Sequence, residues 1–195
     1  MNKQLALALV LATAPLAATA GELSYSHVEA GYAHLDLEGE EADGFQLRGS
    51  VAVSEYVYLF GGYGKVEGKD YDVELEESQA GVGLRSPTGE RADFIFELGQ
   101  VRHAVEVDGV LGSASETING GRLSVGLRGL LADRLEGWIK TSYNDGGDFD
   151  GSFSAVLGAH FSFNPTWGLI AEVESGELVE DADTVKGLLG VRASF

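Results

Sequence analysis

The last nine residues, 187–195 (GLLGVRASF), restrict the fold more than any other stretch of the chain. Counting back from Phe195, every second residue is apolar or glycine, and Arg192 lies in the middle of the alternate face. A two-residue period indicates a β-strand. One apolar face, one charged face and an aromatic carboxy-terminus are typical of the closing strand of a transmembrane β-barrel. We expect Phe195 to be the assembly signal that the barrel-assembly machinery binds.

The first twenty residues have the features of a secretory signal peptide. Lys3 precedes an apolar run at 5–16, and an A-x-A site follows at 18–20. We predict cleavage after Ala20, which leaves 21–195 as one barrel domain outside the cytoplasm. An amino-terminal membrane helix is the less favoured alternative, because the run is shorter than the roughly 20 residues that a span needs.

The composition excludes several classes of site. The chain has no cysteine, so disulfides, thiol chemistry and cysteine-based metal sites are excluded. The formal charge of −18 disfavours nucleic acid as a partner. We predict no cofactor.

Alternating segments of about ten residues, the length of a tilted membrane-crossing strand, recur along the chain. We predict an all-β, antiparallel transmembrane barrel of ten strands at 26–37, 44–53, 56–66, 73–85, 92–105, 117–130, 135–144, 152–163, 166–174 and 184–195. The connectors alternate between short and long, which predicts short periplasmic turns and long outer loops. Eight strands are the alternative, if two segments within 57–85 are loops.

The polar faces of these strands predict a charged lumen. Its predicted members are Glu29, Arg48, Arg85, Glu97, Arg128, Glu136, Lys140, Glu172 and Arg192, together with Arg122, Glu174 and Lys186. Mixed charges neutralise one another in a poorly hydrated lumen. We therefore favour a structural network over the lining of a pore, which stays open. In the third strand and in the upper part of the fifth, the inward face is ambiguous.

The predicted outer loops are acidic, with clusters at 36–43, 67–77 and 177–183. A solvated surface is the favoured interpretation. The alternative is that divalent cations bind these carboxylates and bridge them to lipopolysaccharide phosphates. Asp145, Asp148 and Asp150 resemble half of a Ca²⁺ loop, a weak match.

Two sets of residues suggest catalysis. His160, Ser162 and Glu174 are spaced like the catalytic set of outer-membrane lipid A deacylases, but His160 and Ser162 lie at the predicted periplasmic end, away from the outer leaflet. His34, Asp36 and His103 lie nearer the outer rim, where omptin-type proteases keep such residues. For all of these histidines we favour hydrogen-bonded or solvated structural roles.

Five segments carry a resemblance: SHVEAGYAHLDL at 26–37, EADGF at 41–45, GSVAV at 49–53, VYLFGGYGK at 57–65 and QAGVGLR at 79–85. They resemble the sulfation-dependent quorum factor family of small outer-membrane barrels. The resemblance implies a protein of the outer membrane and shed vesicles, with a part in signalling, motility or biofilm, and it supplies no active site. Tyr25, near the predicted mature start, is expected to be an interfacial belt residue.

We therefore expect a non-enzymatic, monomeric outer-membrane protein with a structural or surface-interaction role. Its expected partners are outer-membrane lipid, lipopolysaccharide and the assembly machinery. A narrow pore for ions or small solutes is the alternative, and a lipid A-modifying enzyme is the third possibility.

Overall fold

The structure is a computed structural model that describes residues 23–37, 39–69, 73–109, 112–179 and 182–195. The predicted signal peptide lies outside these residues. The described chain forms ten strands: β1 (His27–Leu37), β2 (Glu40–Ala52), β3 (Val57–Gly68), β4 (Val73–Pro87), β5 (Ala92–Gly109), β6 (Gly112–Ala132), β7 (Leu135–Gly146), β8 (Phe149–Ser162), β9 (Trp167–Val179) and β10 (Ala182–Ser194).

Each strand pairs antiparallel with its neighbours in the chain, and β1 pairs with β10 to close the barrel. The closing register runs from His27 opposite Ser194 to Leu37 opposite Thr184. The ten-strand prediction is confirmed, and the eight-strand alternative is wrong because 57–85 supplies both β3 and β4. In the described parts of the chain, no helix is long and apolar enough to cross a membrane.

The prediction of long outer loops is wrong. Two residues connect β1 to β2, β5 to β6, β7 to β8 and β9 to β10, and four connect β3 to β4. The strands themselves continue outward instead, and β5 and β6 reach 18 and 21 residues. A tilted strand crosses a bilayer in about 9–11 residues, so the outer half of this hairpin extends beyond the thickness of a membrane.

An apolar belt surrounds the outside of the barrel. On β8, the side chains of Phe153 and Leu157 are 65% and 66% exposed. Exposed aromatic residues lie near both edges of the belt, with Tyr32, Phe45 and Tyr63 towards the outer end and Tyr56, Phe163 and Trp167 towards the opposite end. An apolar band between two aromatic girdles is the surface that transmembrane barrels present to lipid.

The inward face of β3, which was ambiguous in sequence, carries Tyr58 and Phe60, whereas Leu59 points outward. Glycine opposite these rings makes the arrangement possible. A Cβ on Gly83 would lie 2.0 Å from the Tyr58 ring, and one on Gly158 would lie 2.2 Å from the Trp138 ring. Bulky luminal side chains therefore require glycine on the neighbouring strand.

Candidate functional site: the luminal charge network

Among the residues that the structure describes, the lumen brings together seven basic and seven acidic side chains. The basic residues are Arg48, Arg85, Arg122, Arg128, Lys140, Lys186 and Arg192. The acidic residues are Glu29, Glu77, Asp93, Glu97, Glu136, Glu172 and Glu174. All twelve residues predicted to face the lumen lie inside, and Glu77 and Asp93 join them.

Glu29 is at the centre of the network and is 3% exposed. It lies beside Arg48 on β2 and Arg192 on β10, because both strands pair with β1 at this position. Arg48 donates to Glu29 Oε2 from Nε at 2.8 Å, and Arg192 donates to Oε1 from Nε at 2.7 Å. The second guanidinium nitrogens contact the same two oxygens at 2.8 and 2.6 Å. One carboxylate therefore holds two arginines, and each of its oxygens contacts two nitrogens of one guanidinium group.

The two arginines extend the network across the lumen. Arg48 Nη1 also donates to Glu172, whose other oxygen accepts a 2.7 Å hydrogen bond from Trp138 Nε1. Arg192 Nη1 donates to Glu136 Oε1 at 2.9 Å, and Arg128 Nε donates to the same atom at 2.8 Å. Side chains of strands far apart in the chain are thus connected through the interior.

A second group of contacts surrounds the central network. Glu97 accepts from the Tyr58 hydroxyl at 2.8 Å and from Lys140 Nζ at 3.2 Å. Further out, Lys186 Nζ donates to Glu77 at 2.9 Å. Arg122 donates to Asn144 at 2.6 Å, and Ser154 donates to Glu174 at 2.9 Å.

The numbers of luminal charges match. Seven cations and seven anions give the group no net charge with histidine neutral, so the whole formal charge of −18 belongs to residues outside these fourteen. A buried charge costs several kcal/mol unless it is paired and hydrogen-bonded. The pairing described above reduces that cost and fixes the side chains in the lumen.

The amino-terminal segment lies in the lumen at the end where β1 begins and β10 ends, the predicted periplasmic end. Tyr25 is buried, and its ring lies between the guanidinium groups of Arg85 and Arg128, whose Cζ atoms are 4.7 and 4.4 Å from the ring centroid. Its hydroxyl donates to Asp93 at 2.9 Å, and Arg128 Nη2 donates to the carbonyl of Ser24 at 2.8 Å. The expectation that Tyr25 belongs to the interfacial belt is wrong, because two inward arginines and one aspartate hold it in the lumen.

An apolar cluster fills the lumen at the outer end. Ala33, Leu35 and Val66 are buried there, with Ala42 and Leu75 packed against them. Between the two ends, the interior contains cavities of about 110, 40 and 30 Å³. Cavities of this size hold only a few water molecules each.

The residues considered for catalysis have other contacts. His160 Nδ1 lies 3.9 Å from Glu136, whereas Glu174 accepts a hydrogen bond from Ser154. His160, Ser162 and Glu174 are therefore not assembled as a catalytic set. At the outer rim, His34 points outward and contacts Asp43 at 2.6 Å, whereas His103 is buried in the lumen. His34 and His103 do not share a site.

The predicted acidic clusters are partly paired. Glu77 is luminal and not a loop residue, which corrects its assignment. Lys69 Nζ contacts Glu41 at 2.6 Å and Asp43 at 3.0 Å. Hydrogen bonds from Tyr32, His34 and Lys69 hold the pKa of Asp43 below its ordinary value. Among the described residues, no three potential metal ligands are grouped. Glu38, Asp70, Asp72, Glu180 and Asp181 lie outside the described residues, as do the side chains of Asp150, Glu177 and Asp183.

The luminal partners that sequence reasoning missed share the two-residue period of residues that it found. Asp93 lies four residues before Glu97, and Glu77 lies eight before Arg85. Even spacing along a strand places residues on one face, and this signal was available in the sequence.

Phe195, the predicted assembly signal, donates its backbone N–H to the Ser26 carbonyl at 3.0 Å.

No family model and no curated protein matches the chain. Among solved structures, it is similar to Ail, the attachment invasion locus protein of Yersinia pestis, at 14% identity and a TM-score of 0.47, over 89% of this chain and 100% of that one. It is also similar to Neisserial surface protein A, at 14% identity and 0.45, over 88% and 98%. A third is the KdgM porin, at 10% identity and 0.46, over 86% and 99%. The functional argument therefore depends on the geometry of this chain.

Proposed function

We propose that the chain is a small, non-enzymatic outer-membrane barrel with a closed lumen and a structural or surface-interaction role. One observation carries the proposal: the apolar surface faces out, and the paired charges face in. This is the reverse of a water-soluble barrel. Lipid is the environment that satisfies such a surface, since a closed barrel leaves no unpaired strand edge in the hydrocarbon.

The absence of enzymatic activity is part of the proposal. The luminal carboxylates that a reaction would use are engaged with arginine, lysine, tyrosine or serine. Glu29 and Glu136 each bind two arginines, which keeps both carboxylates out of proton transfer. A general base needs access to a substrate proton, and Tyr25 at one end and Leu35 at the other obstruct the lumen.

A surface role agrees with the distribution of charge. The net negative charge lies outside the fourteen luminal residues, and the outward residues Glu41, Asp43, Glu67, Glu74 and Glu76 contribute to it near the outer ends of the strands. We propose that this end lies at the headgroup region of the outer leaflet. We also propose that the protein is a monomer. The resemblance to the sulfation-dependent quorum factor family adds membership of that family and release in vesicles to the proposal.

A narrow pore is the second candidate. The observation that favours it is the cavity of about 110 Å³ in the middle of the lumen, which Glu29, Arg48 and Lys140 help to line. Conduction would require displacement of Tyr25 at the periplasmic end.

Fractionation of cells that express the full chain tests the proposal. We expect the protein in the outer-membrane fraction and in shed vesicles, resistant to carbonate extraction. A variant that lacks residues 2–20 is the matched control and should stay in the cytoplasm. Recovery of the full chain as a soluble periplasmic protein would refute the proposal.

A further inference from the structure

A groove of about 560 Å³ lies on the outside of the barrel wall, across β4, β5 and β6. Ser78, Gln100, Arg102, Asn119, Gly121 and Gly147 contribute to its lining. Gln100, Arg102 and Asn119 are exposed. The groove shares Gln79 and Gln100 with the lining of the luminal cavities, whereas Arg102, Asn119 and Gly147 line the groove and none of those cavities.

The strand register places apolar and polar side chains of this wall in successive rows. Val82, Leu98 and Leu123 lie side by side, as neighbours on β4, β5 and β6. The next row towards the outer end is Ala80, Gln100 and Gly121, and the row after it is Ser78, Arg102 and Asn119. The outward face of this wall thus changes from apolar to polar over two rows.

The outward apolar run is shorter on β5 than on β8. Outward apolar side chains on β5 stop at Leu98, whereas on β8 they continue from Phe161 through Leu157 to Phe153. A belt about 25 Å tall surrounds transmembrane barrels. A shorter apolar run on β5 brings the polar groove to the level of the outer leaflet.

Arg102 is an unpaired cation on this wall. No described residue forms an ion pair with it, although Lys65 and Lys69 on the same outer surface each contact carboxylates. The neighbouring acids are already engaged. Glu76 accepts from the Tyr63 hydroxyl at 2.7 Å, and Asp145 accepts from the Tyr143 hydroxyl at 3.2 Å. Because no described side chain forms an ion pair with it, this guanidinium is available to an external anion.

The turn between β7 and β8 fixes one side of the groove. Asp148 N–H donates to the Asn119 carbonyl at 2.9 Å, and Asn119 N–H donates to Asp148 Oδ2 at 3.0 Å. Gly147 has a φ of +66°, and a Cβ there would lie 2.2 Å from the Asn119 carbonyl oxygen. The close approach of this turn therefore requires glycine, and it holds the backbone of Asn119 in place.

We propose that this groove binds a phosphate-bearing headgroup of an outer-leaflet glycolipid. Arg102 supplies the charge-assisted donor for the phosphate. The Gln100 and Asn119 amides and the Ser78 hydroxyl supply donors and acceptors for sugar hydroxyls. The apolar row of Val82, Leu98 and Leu123, next to the groove, accommodates the start of the acyl chains. The inference rests on the proposed outer-membrane location and names a site for the expected lipopolysaccharide contact.

Lipid A binding tests the site. The mature chain, refolded in zwitterionic detergent micelles and checked for folding by heat-modifiable gel mobility, is titrated into fluorescent bisphosphorylated lipid A, and Kd is read from anisotropy. We expect Arg102→Ala and Arg102→Gln each to raise Kd about tenfold, the loss of one hydrogen-bonded ion contact. Arg134→Ala is the matched control, because Arg134 is exposed in the β6–β7 connector at the other end and has no ion pair among the described residues. It should leave Kd unchanged.

Two further titrations test whether the site needs the phosphate group and whether that phosphate belongs to a lipid or is free in solution. Dephosphorylated lipid A should bind the wild type about tenfold more weakly, and millimolar inorganic phosphate should not displace the labelled lipid. Equal Kd values for the wild type and both Arg102 variants would overturn the inference, as would equal binding of dephosphorylated lipid A. Displacement by inorganic phosphate would overturn the assignment to a lipid. Failure of the fractionation experiment refutes the outer-membrane proposal itself, whereas outer-membrane location with unchanged Kd values refutes only this site.

Discussion

At the scale of single residues, the stability of the lumen depends on carboxylates that hold more than one arginine. Glu29 accepts from Arg48 and Arg192, and Glu136 accepts from Arg128 and Arg192. Arg192 thus connects both carboxylates. Buried ion pairs contribute little relative to an apolar core, but removal of one partner leaves an uncompensated charge. Loss of a shared carboxylate should therefore cost more than loss of any surface pair.

The substitution Glu29→Ala tests this arrangement. It leaves two buried guanidinium groups without their common acceptor, and we expect the free energy of unfolding to fall by about 3–5 kcal/mol. Arg91→Ala is the control, because Arg91 pairs with the exposed Asp133 at 3.2 Å and should cost about 0–1 kcal/mol. Urea unfolding in lipid vesicles gives both values. Similar losses for the two variants would contradict the network.

Tyr25 gives a second prediction for a single residue. Tyr25→Ala removes a ring packed 4.8 Å from Tyr58 and flanked by two arginines, and it should cost about 3–5 kcal/mol. Tyr25→Phe keeps the ring and loses only the hydrogen bond to Asp93, so we expect a cost of about 1–3 kcal/mol. Iodide quenching of the fluorescence of Trp138 should increase only in the alanine variant. Unchanged quenching in both variants would show that Tyr25 does not close the lumen.

At the scale of strands, the two-residue period was sufficient to predict all ten elements and the inward face of most of them. It failed for β3, because Tyr58 and Phe60 are as apolar as their outward neighbours. A strand that is apolar on both faces shows no alternation of polar and apolar residues. The outer strand ends were also missed. Above the membrane both faces meet water, so residues such as Glu106 and Glu116 in the β5–β6 hairpin show no apolar period although they are paired.

The luminal residues likewise include some that the sequence predicts and some that it does not. Arg192 and Glu29 were identified because their strands alternate clearly. Glu77 was assigned to the acidic cluster at 67–77, although it shares the two-residue period of Arg85 on the predicted strand 73–85, and the structure places it in the lumen opposite His103. Tyr25 precedes β1 and has no period of its own, and its position depends on Arg85 and Arg128 from distant strands. Long-range contacts of this kind leave no local signal.

The apolar belt provides the prediction at this scale. Leu157→Arg places a charge in the middle of the outward face of β8 and should cost about 2–4 kcal/mol in a bilayer. Thr117→Arg is the control, because Thr117 is exposed on the outer half of β6 and should tolerate the charge. The free energy of unfolding in vesicles is the measurement. An equal, small effect at both positions would mean that lipid does not contact β8.

At the scale of the whole molecule, charge is divided between inside and outside. The fourteen luminal side chains carry no net charge, and the formal charge of −18 belongs to the rest of the sequence. A ten-stranded barrel is slightly wider than the eight-stranded barrels that side chains just fill. The long arginine, lysine and glutamate side chains, with Trp138 and Phe60, fill this additional width. The interior of this membrane barrel is therefore a polar core.

Conductance of the refolded mature protein in a planar bilayer tests this central claim most directly, with folding of the inserted protein checked independently. The wild type should give no steps above the leak of the bilayer, because Tyr25 and the paired charges occupy the lumen. Stable, ion-selective steps from the folded wild type would contradict the account and would make Glu29, Arg48 and Lys140 residues of a pore.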